Sequence, residues 1–456
     1  MKVLLIIPIN RSYVVTPSLG LGYIASVLRN KGHDVKILHC IKEKMTFDGF
    51  AEFLEANKFD VIGIQMFTYD LVPAIKHLKI IKQKLPNAIT VVGGYHPSGA
   101  PRDVLHEVAD ADYGFISEVE IGFPIFLEEV VKEKPDMSVV PNLIYRKGEV
   151  CIVNEIKLID DLDIIPFPAW DLMDPREYPD APHGGFAKSF PTAPIMITRG
   201  CPLKCTFCAG RSITFEVRKR SIKNVIEEIE YLKENFDVID FLIEDENFTL
   251  HRKLVKEFCE TIIEKKLGIT WSCPSGIRLD TINPEMLKMM EASGCYSVAV
   301  GVEFGSDRIH QITKKKLTIE KIERKMSLFK DVNIKTTGFF LFGVPGETKD
   351  EMLETIQFSK KLPLDRAQFN NFMPLPGTEI FDDLKKKGTA FDYDNYFVHD
   401  VAYVPEGMTL KDMKKLQRSA YLGFYFRPKI IMAILAEIAT LKQFYRLILR
   451  FFDSLR

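Results

Sequence analysis

Residues 198–208 read Thr198-Arg199-Gly200-Cys201-Pro202-Leu203-Lys204-Cys205-Thr206-Phe207-Cys208, with three cysteines in the pattern C-x3-C-x2-C. Three thiolates on one short loop can hold three irons of a cubane iron–sulfur cluster, leaving the fourth iron open to a small molecule. A zinc site would need a fourth cysteine or histidine close by, and His183 is the only histidine near in sequence. A disulfide would leave one cysteine over, at a spacing too tight for a useful bridge. The pattern therefore favours an iron–sulfur cluster.

Alternating strand and helix patterns surround this loop from Pro194 onward. Apolar runs predict strands at 195–198, 238–244, 270–273, 297–302, 336–342 and 368–373. Helical periodicity predicts helices between them, at 225–234, 254–265, 284–292, 319–329 and 349–361. These repeats indicate a partial (β/α)6 barrel. The cysteine loop then lies at the C-terminal end of the first strand, where such barrels place their active sites.

The N-terminal region shows a second series of alternating strands and helices. Strands are predicted at 3–7, 35–39, 61–65 and 90–93, and helices at 19–31, 47–57 and 72–85. This order predicts a parallel sheet covered on both faces, which binds ligands at the carboxyl ends of its strands. Those ends carry Asn10, the stretch Gln65-Met66-Phe67-Thr68 and the stretch Gly93-Gly94-Tyr95-His96-Pro97. The residues alone leave open whether Gly93-Gly94 admits a ligand or only makes a tight turn.

Composition and charge are typical of a water-soluble globular protein of two or three domains. The chain has 456 residues, is 46% hydrophobic and 27% charged, and carries a net charge of −1. Nothing in this balance predicts nucleic-acid binding. The apolar start is too short for a signal peptide, because Pro8 and Asn10 interrupt it, and no apolar stretch reaches transmembrane length. Unpaired cysteines outside the loop (Cys40, Cys151, Cys259, Cys273 and Cys295) predict a reduced, cytoplasmic protein.

The cysteine motif, with aromatic Phe207 directly before its last cysteine, resembles that of the radical S-adenosylmethionine (SAM) superfamily. The resemblance implies a [4Fe–4S] cluster held by Cys201, Cys205 and Cys208. Its open iron would be chelated by the amino and carboxylate groups of SAM, and reduction would cleave SAM to a 5′-deoxyadenosyl radical. The resemblance also implies that Phe207 contacts the adenine of SAM.

Further residues at the predicted strand ends resemble SAM-binding motifs of that superfamily. Asp245-Glu246-Asn247-Phe248-Thr249 is similar to D-D-x-F-T, which implies a carboxylate that accepts hydrogen bonds from the SAM ammonium group. The alternative for this stretch is a solvated loop. Glu303 lies in a stretch similar to G-V-E-S-G-S, and Arg278 is suited to a carboxylate. The residues predicted to contact SAM are therefore Phe207, Asp245, Glu246, Ser275, Arg278, Glu303 and Gly343. No catalytic residue is assigned.

The N-terminal region resembles the cobalamin-binding domain fused to many radical SAM enzymes. The matching stretches are Pro17 to Tyr23, Gly32 to Val35 and Val92-Gly93-Gly94-x-His96-Pro97. The resemblance implies a Rossmann-like, flavodoxin-like domain that binds cobalamin. The residues predicted to contact it are Asn10, Gln65, Thr68, Gly93, Gly94 and Tyr95. The motif D-x-H-x-x-G, which supplies a histidine to cobalt, is missing, because the loop 10–15 has no histidine. We therefore expect cobalamin without a protein ligand to cobalt.

The predicted organisation is a cobalamin domain at 1–140, a proline-rich linker at 141–193, the barrel at 194–379 and a helical region at 380–456. Glu118-Val119-Glu120 resembles a G-E-x-E stretch with Ser117 in place of glycine, and no chemistry is assigned to it. Residues 427–456 carry six basic and two acidic side chains, a net charge of +4. Such a helix can lie on a membrane surface or dock on the barrel, and docking is favoured.

The resemblance as a whole implies a cobalamin-dependent radical SAM enzyme, and methylation of an unactivated carbon is the favoured reaction. One SAM would supply the radical, and a second would restore the methyl group that cobalamin donates. The alternatives are a non-methylating member, such as a ring cyclase or a lipid-modifying enzyme, and an iron–sulfur electron carrier or sensor. An electron carrier or sensor would leave the six strand–helix repeats of the predicted barrel unexplained. The substrate is a small molecule, lipid or peptide of unknown identity, and flavodoxin or ferredoxin is the expected electron donor.

Overall fold

The computed structural model describes residues 1–12, 14–179, 187–214, 216–397 and 400–437. It shows two α/β units in series, followed by helices that pack on the second unit. The predicted fold class, a Rossmann-like domain ahead of a partial barrel, is confirmed. Within the described ranges, no helix has both the length and the apolar character needed to cross a bilayer.

The N-terminal unit is built on a mainly parallel sheet with the order β2-β1-β3-β4-β5-β6-β7. Its strands are β1 (Lys2–Ile7), β2 (Asp34–His39), β3 (Val61–Gln65), β4 (Ile89–Gly93), β5 (Tyr113–Phe115), β6 (Leu143–Lys147) and β7 (Val150–Val153). The helices beside it are α1 (Leu19–Asn30), α2 (Phe47–Ala56), α3 (Leu71–Lys84), α4 (Tyr95–Gly99), α5 (Val104–Glu107) and α6 (Gly122–Val130).

Alternation along β1 explains why helices cover both faces of this sheet. Leu4 and Ile6 pack with the apolar residues of α2, α3 and α5, whereas Val3 and Leu5 pack with those of α1 and α6. Successive side chains of a strand point to opposite faces, so a continuous apolar run is buried on both sides. β1 therefore lies inside the sheet, between β2 and β3.

Residues 143–153, which the sequence places in the linker, instead extend this sheet. β6 pairs with β5 and β7 pairs with β6, both antiparallel. The turn between β6 and β7 contains Gly148 at φ +62°, in the left-handed region that glycine adopts at little cost. Two short runs of strand-forming residues around a glycine are typical of a β-hairpin. The sequence analysis assigned them to the linker because of the many prolines further along the chain.

The second unit is a partial barrel of parallel strands in the order β15-β14-β13-β12-β11-β8. The strands of this part of the chain are β8 (Thr192–Ile195), β9 (Thr198–Arg199), β10 (Arg218–Lys219), β11 (Asp240–Ile243), β12 (Thr270–Ile277), β13 (Cys295–Glu303), β14 (Lys335–Phe342) and β15 (Arg366–Asn371). Its helices are α7 (Gly210–Ile213), α8 (Ile222–Phe236), α9 (Arg252–Glu264), α10 (Pro284–Ala292), α11 (Asp307–Ile312), α12 (Ile319–Met326) and α13 (Lys349–Lys361).

The first barrel strand differs from the predicted 195–198. β8 ends at Ile195, and Thr198 belongs to a separate antiparallel ribbon of β9 and β10. Asp245 explains the break, because its carboxylate accepts hydrogen bonds from the backbone N–H groups of Ile197 (2.7 Å) and Thr198 (2.9 Å). The chain therefore leaves the barrel sheet after Ile195, six residues before Cys201.

The C-terminal region contributes α14 (Glu379–Lys386), α15 (Leu410–Tyr425) and α16 (Pro428–Glu437). α15 covers β15, where the backbone N–H of Phe369 donates to the Tyr421 hydroxyl at 3.2 Å and Gln417 donates to the Phe369 carbonyl at 2.9 Å. These bonds satisfy the open edge of the barrel sheet. The predicted amphipathic helix at 427–456 is described only as far as Glu437, and the remainder lies outside the described residues.

Candidate active site

The cysteine loop lies between β9 and α7, at the carboxyl-end face of the barrel. All three cysteines are free thiols, with Cys201 and Cys205 half-buried and Cys208 exposed. Backbone hydrogen bonds at Thr206 hold the loop on the barrel, since its N–H donates to the Thr313 carbonyl at 3.0 Å and its carbonyl accepts from Ile380 at 3.2 Å. The arrangement presents three thiols from one fixed turn.

Gly200 is the residue of this loop that no other amino acid can replace without strain. Its φ is +95°, and a Cβ there would collide with the carbonyl oxygen of Glu216. Its N–H donates to the Glu246 carboxylate at 3.2 Å. The glycine therefore lets the chain turn sharply into the cluster loop.

The thiols are close enough to influence one another. Desolvation raises the pKa of all three thiols, including that of Cys208, which is exposed but has dense protein around it, and a neighbouring cysteine of the loop raises each pKa further. Lys315 and Arg278 act in the opposite direction on Cys205. In the described part of the chain, no three Cys, His, Asp or Glu side chains converge closely enough for a single metal ion. Because a cubane cluster holds its cysteines at separate corners, this donor set fits a cluster.

Lys315, which the sequence analysis did not select, forms a buried ion pair beside the loop. Its Nζ donates to Oε1 of Glu303 at 2.8 Å, and both side chains are largely inaccessible to solvent. Glu303 adopts φ +68°, an uncommon backbone conformation for a residue other than glycine. Gly301 makes room, because a Cβ there would lie 2.6 Å from the Glu303 carboxylate and 2.8 Å from the Lys315 ammonium.

Arg278 joins the same cluster of charges. Its guanidinium pairs with Asp280 at 2.8 Å and donates to the Lys315 carbonyl at 3.1 Å. Its Nη1 is buried and has no hydrogen-bond partner among the described residues. A buried guanidinium N–H without a partner is costly, so Arg278 is a candidate for an anionic group of a ligand.

The two acids after β11 have different surroundings. Asp245 is buried and binds Ile197 and Thr198, and burial raises its pKa to about 7. Glu246 instead lines a cavity and binds Gly200, and burial raises its pKa as well. Asp245 therefore shapes the approach to the cluster loop, whereas Glu246 is available to a bound molecule.

The other predicted SAM contacts occupy three different settings. Phe207 packs edge-on against Phe304 with ring centroids 6.0 Å apart, and Ser275 donates to Glu244. At Gly343, the space a Cβ would take is filled by the side chain of Met413, and the N–H donates to Glu347 at 2.6 Å. Contact of these residues with SAM stays a prediction.

A cavity of about 310 Å³ lies between the N-terminal sheet and the barrel. Its lining includes the predicted cobalamin contacts Gln65, Gly93, Gly94 and Tyr95. Residues of β1, β3, β4, β5, α1 and α6 line it on the N-terminal side and are mostly apolar, namely Leu5, Gly63, Val91, Phe115, Leu21 and Phe123. Barrel residues form its opposite wall, namely Met196, Arg199, Ile213, Thr214 and Glu246. The cavity is thus shared by the two domains.

Asn10 and Thr68 are held by protein groups instead. Asn10 donates to Asp70 at 2.7 Å, and burial raises the pKa of that carboxyl to about 7. Thr68 is buried and lies 3.3 Å from Nδ1 of His96, whose Nε2 lies 2.8 Å from Glu107. Their contact with cobalamin stays a prediction, and the structure shows them supporting the strand-end loops.

The glycine pair combines the two roles that the sequence left open. Gly94 has φ +116°, and a Cβ there would lie 2.9 Å from the Met66 carbonyl oxygen, so this glycine serves a close approach of two loops. A Cβ at Gly93 would meet no described atom outside its chain neighbours nearer than Phe115 at 4.0 Å, and Gly93 lines the cavity. Gly94 is therefore needed for the turn, and Gly93 is open to a ligand.

Tyr95 links the cavity to the cluster loop. Its ring stacks on Phe67 at 5.3 Å, which gives the cavity mouth a flat aromatic wall. Burial raises the pKa of its hydroxyl, and the charges of Glu246 and Cys208 raise it further. Tyr95 therefore lies close to the last cysteine of the loop while it faces the cavity.

The fold and the site define a protein whose cofactor-binding α/β domain faces a partial barrel with a three-cysteine cluster loop. Residues 195–359 match the family model of the radical SAM superfamily, and residues 6–127 match that of the B12 binding domain. The chain belongs to the radical SAM superfamily, in the group with a B12-binding domain ahead of the barrel. The predicted cofactors, a [4Fe–4S] cluster, SAM and cobalamin, are those of the two families.

Relatives and solved structures extend this result over the whole chain. An uncharacterized methyltransferase of Pyrococcus horikoshii is 31% identical over 448 residues, 96% of this chain and 95% of that protein. An anaerobic magnesium-protoporphyrin IX monomethyl ester cyclase of Rubrivivax gelatinosus is 27% identical over 414 residues, 90% of this chain and 74% of the cyclase. The structure of the radical SAM methyltransferase TsrM from Kitasatospora setae has a TM-score of 0.73 at 16% identity, covering 94% of this chain and 90% of TsrM. At that identity the likeness shows the fold alone.

Proposed function

We propose that this protein is a cobalamin-dependent radical SAM methyltransferase that methylates an unactivated carbon. The observation that carries the proposal is the shared cavity, whose wall includes Glu246 and Arg199 beside the cluster loop and Gly93 and Tyr95 on the cobalamin side. Methyl transfer between SAM and cobalamin requires the two binding sites to adjoin. The Pyrococcus relative is described as a methyltransferase, which supports the same reaction.

The chain's own residues hold and orient the reactants in this proposal. When bound, the cluster supplies the electron that cleaves SAM to a 5′-deoxyadenosyl radical, and cobalamin supplies the methyl group. In this proposal Glu246, which lines the cavity, accepts from the SAM ammonium group, and the unpaired Nη1 of Arg278 donates to the SAM carboxylate. The buried Lys315–Glu303 pair keeps this side of the site charged but shielded from water.

In this proposal the cavity would hold the tail of cobalamin. A volume of about 310 Å³ suits a small-molecule group of limited size, and the mostly apolar lining on the N-terminal side suits an aromatic base. The corrin ring would then lie at the mouth, against Tyr95 and Phe67 and facing the cluster loop. Gly93 leaves its backbone accessible there.

The electron donor and the cellular setting belong to the same proposal. An external carrier such as flavodoxin or ferredoxin would reduce the cluster, and no nucleic acid takes part. A reducing, cytoplasmic location is supported by the buried free thiols of Cys40, Cys259, Cys273 and Cys295.

The test follows a deuterated methyl group from SAM to cobalamin. This transfer does not involve the methyl-accepting substrate, so the substrate need not be known. Anaerobic protein loaded with iron, sulfide and cobalamin is reduced with titanium(III) citrate and incubated with this SAM. We expect deuteromethyl cobalamin and S-adenosylhomocysteine at a rate well above that of free cobalamin, together with 5′-deoxyadenosine. The variant with Cys201, Cys205 and Cys208 changed to alanine is the control and should form none of these three products at an enzymatic rate.

The second candidate function is that of a non-methylating radical enzyme, which the similarity to the cyclase of Rubrivivax gelatinosus supports. Such an enzyme would release 5′-deoxyadenosine and leave the cobalamin without the deuterated methyl group. That result would overturn the methyltransferase proposal and favour the cyclase type of chemistry.

A further inference from the structure

Four charged side chains form a buried network across the boundary between the two domains. Glu118 and Glu120 come from the N-terminal unit, between β5 and α6, and Arg199 and Arg218 come from the β9–β10 ribbon of the barrel. We call Glu118, Glu120, Arg199 and Arg218 the interdomain clamp. Each of these side chains is at most 10% exposed. Two acids and two arginines balance in charge, so the clamp is electrically complete without a ligand.

The distances within the clamp show close pairing. Arg218 binds Glu118 through both ends of its guanidinium, at 2.6 and 2.7 Å. Arg199 lies 2.7 Å from Glu120 and 3.3 Å from Glu118. Burial acts to raise the pKa of Glu118, but the hydrogen bonds from Arg218 and the charge of Arg199 lower it overall. The carboxylate therefore stays ionised inside the protein.

Ser117 adds a second interdomain contact at the start of the same segment. Its φ is +57°, in the left-handed region, which explains why glycine is usual there in the resembling stretch. Its hydroxyl donates to the Ile213 carbonyl of the barrel, and its N–H donates to Ser98 at 2.9 Å. The serine thus gains a bond across the domain boundary that a glycine could not make.

The clamp stands between the cobalamin cavity and the cluster loop. Arg199 is two residues before Cys201, and its guanidinium lies over the ring of Tyr23 at 5.1 Å. Glu118, Glu120 and Arg199 all line the cavity, as does Glu246, which binds the Gly200 between Arg199 and Cys201. One wall therefore touches both cofactor sites.

A buried ion network is a weak source of stability, because desolvation of the charges offsets much of their attraction. Such a network instead restricts the segments that bear its charged side chains to one relative arrangement. An apolar interface of the same size would let the β9–β10 ribbon shift against the N-terminal sheet. The pairing of Arg199 with two acids resists such a shift at the point where the cluster loop begins.

We propose that the interdomain clamp positions the cluster loop against the cobalamin cavity, and that methyl transfer from SAM to cobalamin depends on it whereas reductive cleavage of SAM does not. This inference rests on the proposed methyltransferase function. In the transfer, the electron pair of cobalt(I) forms the new cobalt–carbon bond while the sulfur–methyl bond of SAM breaks and S-adenosylhomocysteine leaves. The cleavage would need only the cluster and SAM, whose predicted contacts all belong to the barrel.

The test compares the two products in Glu120→Gln, which weakens the clamp, and in Ser117→Ala, which removes only the neighbouring interdomain bond to Ile213. Both changes keep the size of the side chain nearly unchanged. Both are assayed with deuteromethyl SAM, cobalamin and titanium(III) citrate. We expect the ratio of methylated cobalamin to 5′-deoxyadenosine to fall about tenfold in Glu120→Gln, since small misplacements of reacting groups cost up to about 10²-fold. Ser117→Ala should lower the ratio less.

Asp103→Asn is the matched control. It removes an exposed ion pair, Asp103 with Lys385 at 2.7 Å, that also joins the N-terminal unit to a later part of the chain but lies away from the cavity. Its product ratio should equal that of the unchanged protein. Absorbance titration with cobalamin checks that every variant still binds the cofactor.

Hydrogen exchange of the protein without cofactors gives a readout that does not depend on activity. We expect faster exchange at residues 198–208 in Glu120→Gln than in Asp103→Asn. An unchanged product ratio, or an equal fall in both products, would overturn the clamp proposal. If the unchanged protein forms no methylated cobalamin, the proposed function fails, and unchanged exchange at the cluster loop would then refute the clamp independently.

Discussion

At the scale of single residues, Lys315 shows how strongly surroundings decide a role. Lys314, Lys315 and Lys316 follow one another in sequence, and three lysines in a row are normally found at a solvated surface. The structure buries Lys315 against Glu303 and leaves Lys316 exposed. Neighbouring identical side chains therefore differ in function, and they offer a matched pair for mutation.

Replacing Lys315 by glutamine leaves the Glu303 carboxylate buried without its cation. We expect the free energy of unfolding to fall by about 3 kcal/mol, because breaking a buried ion pair leaves an uncompensated charge. Lys316→Gln should change it by no more than about 0.5 kcal/mol, as for other exposed positions. Urea unfolding of the two variants measures the difference. Equal effects would show that the buried pair has no special place in the stability of the barrel.

The histidines near the cobalamin cavity are a second question at this scale. No histidine is among the described residues that line the cavity, and His96 is buried with its ring nitrogens facing Thr68 and Glu107. We therefore expect no histidine ligand to cobalt. Paramagnetic resonance of the cob(II)alamin form should be the same for protein made with ordinary and with nitrogen-15-labelled histidine. A splitting that changes with the label, and vanishes in a His33, His39 or His96 variant, would contradict this prediction.

At the scale of elements, the turn before α13 sets two acids in opposite environments. Glu347 is buried and accepts hydrogen bonds from the N–H groups of Gly343 and Val344, and burial raises its pKa to about 8. Glu351, in the first turn of α13, binds Arg308, and that bond lowers its pKa to about 2. The two acids must therefore affect stability in opposite directions as the pH changes.

The pH dependence of Glu347 follows from its raised pKa. The folded protein holds this proton more tightly than the unfolded chain, so its contribution to stability is complete below the ordinary value of 4.5 and is lost as the pH rises through about 8. In Glu347→Gln this loss should disappear. As the pH rises, the free energy of unfolding of the variant should increase relative to that of the unchanged protein, by up to about 1.4 kcal/mol per unit of the pKa shift. Thermal unfolding between pH 5 and 9 measures this.

Glu351→Gln is the control for that experiment, because its effect on the free energy of unfolding should have the opposite sign. Its lowered pKa gives stability that is present above about 4.5 and is lost as the pH falls through about 2, so the variant should be less stable at neutral pH. If both variants shift stability in the same direction at pH 8, the assignment of Glu347 as a buried neutral acid is wrong.

Whole helices and strands were largely predictable, and their ends were less so. Predicted strand 61–65 and helices 284–292 and 349–361 agree with β3, α10 and α13. The first barrel strand was misplaced, because side-chain bonds from Asp245, more than forty residues away, bend the chain at Ile197 and Thr198. A local pattern cannot show a bend that is imposed by a distant residue.

At the scale of the whole molecule, the described end of the chain leaves an apolar surface open. α16 exposes Met432 and Leu435, at 65% and 54%. The segment 427–456 carries a net charge of +4. The sequence favoured docking of this segment on the barrel, but the exposed apolar residues of α16 support the other alternative. We propose that the segment contacts an anionic membrane surface, with about 1 kcal/mol from each basic residue near the surface.

A flotation assay tests the membrane contact. We expect the full chain to float with liposomes of anionic lipid and to stay below liposomes of neutral lipid. Removing residues 431–456 should abolish flotation and leave the barrel folded, because Arg427 still donates to the Lys360 carbonyl at 2.8 Å and Ile430 stays in the core. If the full chain does not float and the truncated chain unfolds, the segment is a structural lid on the barrel.

The sequence by itself determined the two α/β units, their order and the three cysteines of the cluster. Each of these rests on local patterns, such as strand and helix periods and the spacing of Cys201, Cys205 and Cys208, which can be seen within a few residues. Only the tertiary structure decided which polar residues meet at the site. Glu118 binds Arg218 across 100 positions of sequence, and Lys315 becomes buried only because Glu303 faces it. Contacts between distant segments depend on how the sheets and barrel pack, and no local pattern contains that information.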